Sequence, residues 1–206
     1  MSTHVPLLLQ PELFGADEPA PRRPLAHATR HELAMGAWVD HLPEWLDGSD
    51  ALFADLVRVV PWTQPEVPMY EHRFTQPRLS AWWPLDDPPP GIPGVVAELA
   101  GLLSEHHGVE LRTVGVNLYR DGRDSVAWHG DRVARTLEQA SVAIVSLGER
   151  RRFLLRPKGG GRSVRFDLGR GDLLVMGGTC QRTWQHAVPK VARAGPRLSV
   201  TYRERY

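Results

Sequence analysis

From residue 112 to the C-terminus the chain is cut into short pieces. Runs at 113–119, 142–147, 152–156, 163–168, 172–176, 183–188 and 198–203 are rich in the β-branched, aromatic and aliphatic residues that suit extended backbone. Gly159-Gly160-Gly161 and Gly169-Arg170-Gly171 are the clearest turns between them. Seven short strands at this spacing, with no long helix between them, predict an antiparallel sandwich or barrel. A double-sheet jelly roll (double-stranded β-helix) over about residues 112–206 is the expected core. The fold class is therefore mainly β with flanking helices, an α+β arrangement.

The helices belong upstream. Ser49 is in position to cap a helix through Ala51–Val57 that ends before Pro61. Val95, Leu99, Leu102 and Leu103 recur at helical spacing, which predicts a second helix over 95–107 with Gly108 as its stop. Between them, Asp86-Asp87-Pro88-Pro89-Pro90-Gly91 must be a loop. Residues 1–25 carry Pro6, Pro11, Pro19, Pro21 and Pro24 without periodicity and read as an extended arm, leaving 26–206 as a single domain. With 206 residues and 42% hydrophobic content, the chain is long enough for a substantial core.

No apolar run reaches the roughly 18 residues a membrane span needs, and the N-terminus lacks a secretory pattern. The single cysteine, Cys180, excludes an internal disulfide and suits a reducing cytoplasm. No nucleophile signature surrounds it, so it is expected to be a small buried residue. A net charge of +1 conceals an asymmetry. Residues 1–110 hold 6 Lys and Arg against 16 Asp and Glu, and residues 111–206 hold 19 against 8. A basic half suits a polyanionic partner; alternatively, the two halves neutralise each other across the fold.

His129-Gly130-Asp131 and the later His186 are candidate metal ligands. Two imidazoles and one carboxylate on one face suit Fe(II) and leave positions open for substrate and oxygen. On extended backbone residues i and i+2 point the same way, so His129 and Asp131 can share one ion. The third ligand must come from a distant strand. Taken alone, His-x-Asp is a spacing that chance readily supplies in a chain with 9 His.

The company it keeps adds weight. Arg197 and Arg203 fall on one face of the C-terminal strand with Ser199 and Thr201, while Leu198, Val200 and Tyr202 fall on the other. A surface strand shows the same alternation; the other reading is an interior polar face beside the metal, where a guanidinium grips a carboxylate. Asn117 and Tyr119 likewise share a face, just before the histidine, and offer an amide and a phenol. A metal triad with these grips describes a 2-oxoglutarate site.

These motifs resemble the AlkB family of nucleic-acid dealkylating dioxygenases. The residues that carry the resemblance are Asn117-Leu118-Tyr119-Arg120-Asp121-Gly122 and Trp128-His129-Gly130-Asp131, then Ser146-Leu147-Gly148 and Gly171-Asp172-Leu173-Leu174. Trp184-Gln185-His186-Ala187-Val188-Pro189 and Arg197-Leu198-Ser199-Val200-Thr201-Tyr202-Arg203 follow in order. Upstream, Pro77-Arg78-Leu79-Ser80-Ala81-Trp82-Trp83 resembles the family's substrate-side segment, here about 62–92, and the likeness spans about 68–203.

The resemblance implies a jelly roll using Fe(II), 2-oxoglutarate and O2, with His129, Asp131 and His186 on iron. It implies that Arg197 pairs with the distal carboxylate of 2-oxoglutarate and that Asn117, Tyr119 and Arg203 complete the pocket. The implied reaction removes N-methyl groups from bases of DNA, or of RNA, with release of succinate, CO2 and formaldehyde. The base must leave its stack to react. Arg78, Tyr70, Trp82 and Trp83 are the candidates to hold it. Only one of the two tryptophans can face the site from an extended segment, and the reading favours Trp83. Arg150, Arg151 and Arg152, followed by Arg156, Lys158, Arg162 and Arg165, are candidates for a phosphate-contacting rim.

One departure stands out. Where many relatives carry acidic residues just after the metal-binding Asp, this chain has Arg132. A guanidinium is the wrong charge for a cationic methylated base, which puts a preference for 1-methyladenine and 3-methylcytosine in question. Arg132 would instead face a phosphate or the acidic N-terminal half. The expected protein is a monomer in the cytoplasm with a nucleic-acid partner and no membrane. The competing readings are an oxygenase of proteins or small molecules and a jelly-roll nucleic-acid binder without activity; the complete residue set argues against the last.

Overall fold

The computed structural model describes residues 18–69, 72–131 and 137–204. Its N-terminal part supplies β1 (Ala20–Pro21), β2 (Thr29–Glu32), β3 (Ala37–Leu42), β4 (Leu46–Asp47), helix α1 (Ser49–Val59), β5 (Glu66–Met69), β6 (His72–Thr75), β7 (Leu79–Pro84) and helix α2 (Val95–His107). Then come β8 (Leu111–Tyr119), β9 (Val126–His129), β10 (Val142–Gly148), β11 (Arg151–Pro157), β12 (Val164–Leu168) and β13 (Asp172–Gly178). The single turn α3 (Cys180–Thr183), β14 (Trp184–Val188) and β15 (Arg197–Glu204) close the chain. Among the described residues no helix is long and apolar enough to cross a membrane.

From β8 onward the chain switches repeatedly between two sheets. The larger runs β2-β3-β13-β10-β15-β8-β7 and the smaller β12-β11-β14-β9. All of these pairings are antiparallel. Four strands of each sheet form the expected jelly roll, and β7, β3 and β2 widen the larger one. All seven expected strands are present; β9 is an eighth, only four residues long and without an apolar alternation to betray it.

The larger sheet is covered on both faces. Its outer side, with Val114, Val116, Leu118, Leu198, Val200 and Tyr202, packs on Leu52, Phe53 and Leu56 of α1 and on Leu99 and Leu103 of α2. Its inner side, with Val142, Ile144, Leu174 and Met176, packs on Phe153, Leu155, Phe166 and Leu168 of the smaller sheet. Burial on both faces leaves near-continuous apolar runs in β10 and β13. The polar face of β15 is buried too from Arg197 to Thr201, with Arg203 partly exposed, so it lines the interior rather than a surface.

The helices differ in detail from the sequence reading. α2 has the expected limits, and Gly108 closes it in the left-handed region at φ 63°. Its buried face, however, is Val96, Leu99, Ala100 and Leu103, while Leu102 is 43% exposed. Leu99 and Leu103 meet the sheet as expected, and Val96 and Ala100 complete the buried face in place of the expected Leu102. At α1 the cap is Gly48, not Ser49, which lies inside the first turn and makes no side-chain capping bond. Gly48 sits at φ 63°, and a Cβ there would meet the Glu18 carbonyl at 2.6 Å. The described part of the N-terminal arm is not free: Ala20 and Pro21 pair with Asp47 and Leu46, and Arg22 N–H donates to Trp45 O. Cys180 is buried, and burial pushes its thiol up to about 12.

Leu103→Ala should therefore cost about 2–5 kcal/mol in denaturant unfolding, whereas Leu102→Ala should stay within about 0.5 kcal/mol of the parent.

Candidate active site and family

β9 and β14 lie side by side, with His129 directly opposite His186. The chain leaving β9 turns Asp131 back toward the same point. The ligating atoms of His129, Asp131 and His186 all fall within 4.8 Å of one another, with Asp131 Oδ2 3.9 Å from His186 Nε2. His129 Nδ1 sits 2.9 Å from Ala127 O. A proton on Nδ1 donating to that carbonyl leaves Nε2 free as a ligand. Burial pushes the His186 imidazole down to about 3, which keeps it in the neutral form a metal requires.

Burial tends to raise the Asp131 carboxyl, but the Arg203 guanidinium beside it holds it below the usual carboxylate range. Arg203 Nε donates to Asp131 Oδ1 at 3.1 Å. The other oxygen, Oδ2, is buried without a hydrogen-bond partner, as a lone pair reserved for a cation would be. Neutral imidazoles, a held anionic carboxylate and this orphan oxygen together fit Fe(II).

Three residues support the triad that sequence reasoning passed over. The Asp131 N–H donates to Gln181 Oε1 at 3.2 Å, so a buried amide on α3 anchors the metal-binding turn. Gly130 packs against the same residue: a Cβ there would lie 3.0 Å from Gln181 O. Gly115, opposite Thr201 on β8, leaves the space that Arg203 crosses, since a Cβ would stand 2.7 Å from Arg203 Nη1. These are contacts between segments far apart in the chain, and no local pattern marks them.

A cavity of about 610 Å³ opens from the triad into the sandwich. Arg197, 1% exposed, lies on its wall; its Nε donates to Ser146 Oγ at 2.8 Å, and its Nη2 is buried without a partner. Asn117 and Tyr119 line the same space from β8, and Arg203 lines it beside Asp131. Asn117 Oδ1 accepts from Arg78 Nε at 2.8 Å, so Arg78 is joined to the proposed co-substrate wall. A buried guanidinium with a free N–H calls for an anion, which a dicarboxylate such as 2-oxoglutarate supplies.

Around the mouth the sequence reading needs correction. Trp83, the favoured base-holding residue, is 3% exposed and packs in the outer core, because β7 pairs it with Val114. Trp82, paired with Gly115, is 54% exposed and lines the cavity. Strand parity, set by the β7–β8 register, decides between them. Of the expected phosphate rim, Arg151 is buried and donates to the backbone carbonyls of Asp121, Asp124 and Pro189, so it is no rim residue. Arg150 and Arg152 are exposed, but neither is among the cavity-lining residues. Tyr70 and Arg132 lie outside the described residues.

A jelly roll carrying two histidines and an aspartate beside a buried arginine defines the class of non-haem iron oxygenases. The 2OG-Fe(II) oxygenase superfamily matches residues 41–203, and the chain belongs to that superfamily. It is 33% identical over 180 residues to alpha-ketoglutarate-dependent dioxygenase alkB homolog 3 of Bos taurus, covering 78% of this chain and 63% of that one. To the DNA oxidative demethylase ALKBH2 of Arabidopsis thaliana it is 29% identical over 189 residues, covering 73% and 60%. The chain thus spans less than two thirds of the length of these relatives. A solved structure of OsALKBH1 superposes with TM-score 0.59 at 18% identity, over 86% of this chain and 100% of that one, and shares the fold.

Gln181→Leu should weaken Co(II) or Mn(II) binding by roughly 10–100-fold, read by metal titration, because the metal-binding turn loses its anchor.

Proposed function

We propose that this chain uses Fe(II), 2-oxoglutarate and O2 to demethylate N-alkylated bases in DNA oxidatively. One observation carries the reading: a single cavity holds both an orphan carboxylate oxygen within the triad and a buried guanidinium, Arg197, whose Nη2 has no partner. These are the two demands of a metal-chelating dicarboxylate. The relatives named DNA oxidative demethylase and the basic second half of the chain support nucleic acid as the substrate.

In this reading His129, Asp131 and His186 hold iron, which with 2-oxoglutarate and O2 supplies the oxidising power, leaving succinate and CO2. The rest falls to the chain. Arg197 fixes the distal carboxylate against Ser146, with Tyr119 and Asn117 as polar neighbours in the wall. Arg203 keeps Asp131 ionised and oriented. Phe153 stacks on His186 at 5.3 Å and 21°, holding the imidazole plane and keeping water from that side. Trp82 offers an exposed ring at the mouth for a flipped base, where stacking contributes roughly 1–3 kcal/mol. The hydroxylated N-methyl group then leaves as formaldehyde.

The test is formaldehyde and succinate release from N-methylated single-stranded DNA. The parent should turn over and His129→Ala should not. Arg197→Met should raise the 2-oxoglutarate requirement on the order of a hundredfold, the equivalent of roughly 3 kcal/mol for a broken buried ion pair. Absence of 2-oxoglutarate turnover with every methylated base tried, in DNA and in RNA, would overturn the proposal. Oligonucleotide affinity should also fall steeply with salt, which a protein or small-molecule oxygenase would not show.

A further inference from the structure

Arg151 is left without a task once the phosphate rim is set aside. It is 2% exposed, among the most deeply buried charged residues of the described chain. Its Nη1 donates to Asp121 O, and its Nη2 to Asp124 O and Pro189 O, all at 2.9 Å. Its Nε is buried with no partner. The guanidinium carbon lies 5.7 Å from the Tyr119 ring centroid, and that of Arg197 lies 5.4 Å from the same centroid. Two buried cations therefore share one aromatic ring at the Arg197 end of the cavity.

Among the described residues neither forms a direct ion pair with a carboxylate: Asp124 and Asp121 favour charged Arg151, and Asp172 charged Arg197, only from longer range. Asp124 is engaged by Arg120, and Asp121 by Arg123. Asp172, whose charge acts on Arg197, accepts the N–H groups of Glu44 and Gly169. Each guanidinium also depresses its own protonation through burial, and Arg151 works against Arg197 as a like charge. Packing two like charges out of water is unfavourable unless an anion joins them. The second charge also stands outside the cavity, so it acts at longer range and through Tyr119 rather than by contact.

We propose that Arg151 is a specificity-determining positioning residue. It backs Tyr119 and adds a second positive charge behind the co-substrate site, so the site selects a keto acid with a distal carboxylate over one that lacks it. Its three carbonyl partners make the same residue the tie between the 121–124 loop and the segment after β14. Loop order and co-substrate charge recognition thus meet in one side chain.

This inference rests on the 2-oxoglutarate reading, and the experiment separates the two. Binding of 2-oxoglutarate and of 2-oxobutyrate, which lacks the distal carboxylate, is measured calorimetrically on the Mn(II)-loaded protein. The forms compared are the parent, Arg151→Lys and Arg151→Gln. If the parent binds no 2-oxoglutarate, the functional reading itself falls. If it binds, Arg151→Gln should lose on the order of tenfold in affinity for 2-oxoglutarate, with 2-oxobutyrate little changed. Arg151→Lys, which keeps the charge, should recover most of the discrimination. Equal losses for both ligands, or a lysine variant as poor as the glutamine one, would reduce Arg151 to a loop tie and overturn the inference. Thermal unfolding of each variant identifies a folding failure, and in that case the lysine variant alone decides, since it retains the charge.

Discussion

The architecture depends on one strand having two incompatible faces, both buried. β15 runs between β10 and β8 in the larger sheet. Leu198, Val200 and Tyr202 point into the core under the helices, while Arg197, Ser199, Thr201 and Arg203 point into the sandwich. A slip of one residue would drive two guanidiniums into that apolar core and turn Leu198 and Tyr202 toward the cavity. Seven consecutive pairings with β10, and the run from Arg197 to Arg203 against β8, hold the register against that slip. The helices are needed for the same reason: without α1 and α2 the apolar face of β15 would meet water.

The polar groups so trapped are left partly unsatisfied. Asp131 Oδ2, Arg197 Nη2 and Arg151 Nε have no protein partner. Other charges are paired through two bonds each, as between Arg30 and Asp40 or between Arg120 and Asp124. Asp131 Oδ2 and Arg197 Nη2 both belong to the lining of one cavity, whereas Arg156 Nε and His41 Nε2 are buried without partners away from it. Isolated buried charges are costly, so an open carboxylate oxygen and an open guanidinium nitrogen on one cavity mark where binding energy is to come from ligands.

Much of the core was readable because strand and turn chemistry is local. The seven C-terminal strands follow from composition and alternation, and α2 from its leucines and Gly108. The N-terminal additions were not readable. β3 reads Ala37-Trp38-Val39-Asp40-His41-Leu42, with a buried Asp40 that only its partner Arg30 on β2 makes tolerable. Gly48 rather than Ser49 caps α1 because the backbone of Glu18 passes close by. The choice between Trp82 and Trp83 turned on register with β8, which neighbouring residues do not encode.

The residue types and spacings by themselves determined the jelly-roll class, the three candidate ligands, and a strand whose polar face carries both arginines. Those are properties of short segments, where side-chain direction follows from backbone period. Tertiary structure alone decided which of two tryptophans meets the cavity, which of three consecutive arginines is buried, and that Gln181 anchors the turn at Asp131. It also turned Arg203 onto Asp131 and brought Arg151 behind Tyr119. Each of these is a contact between segments distant in the chain, set by how sheets and loops pack and not by any property of the segment itself.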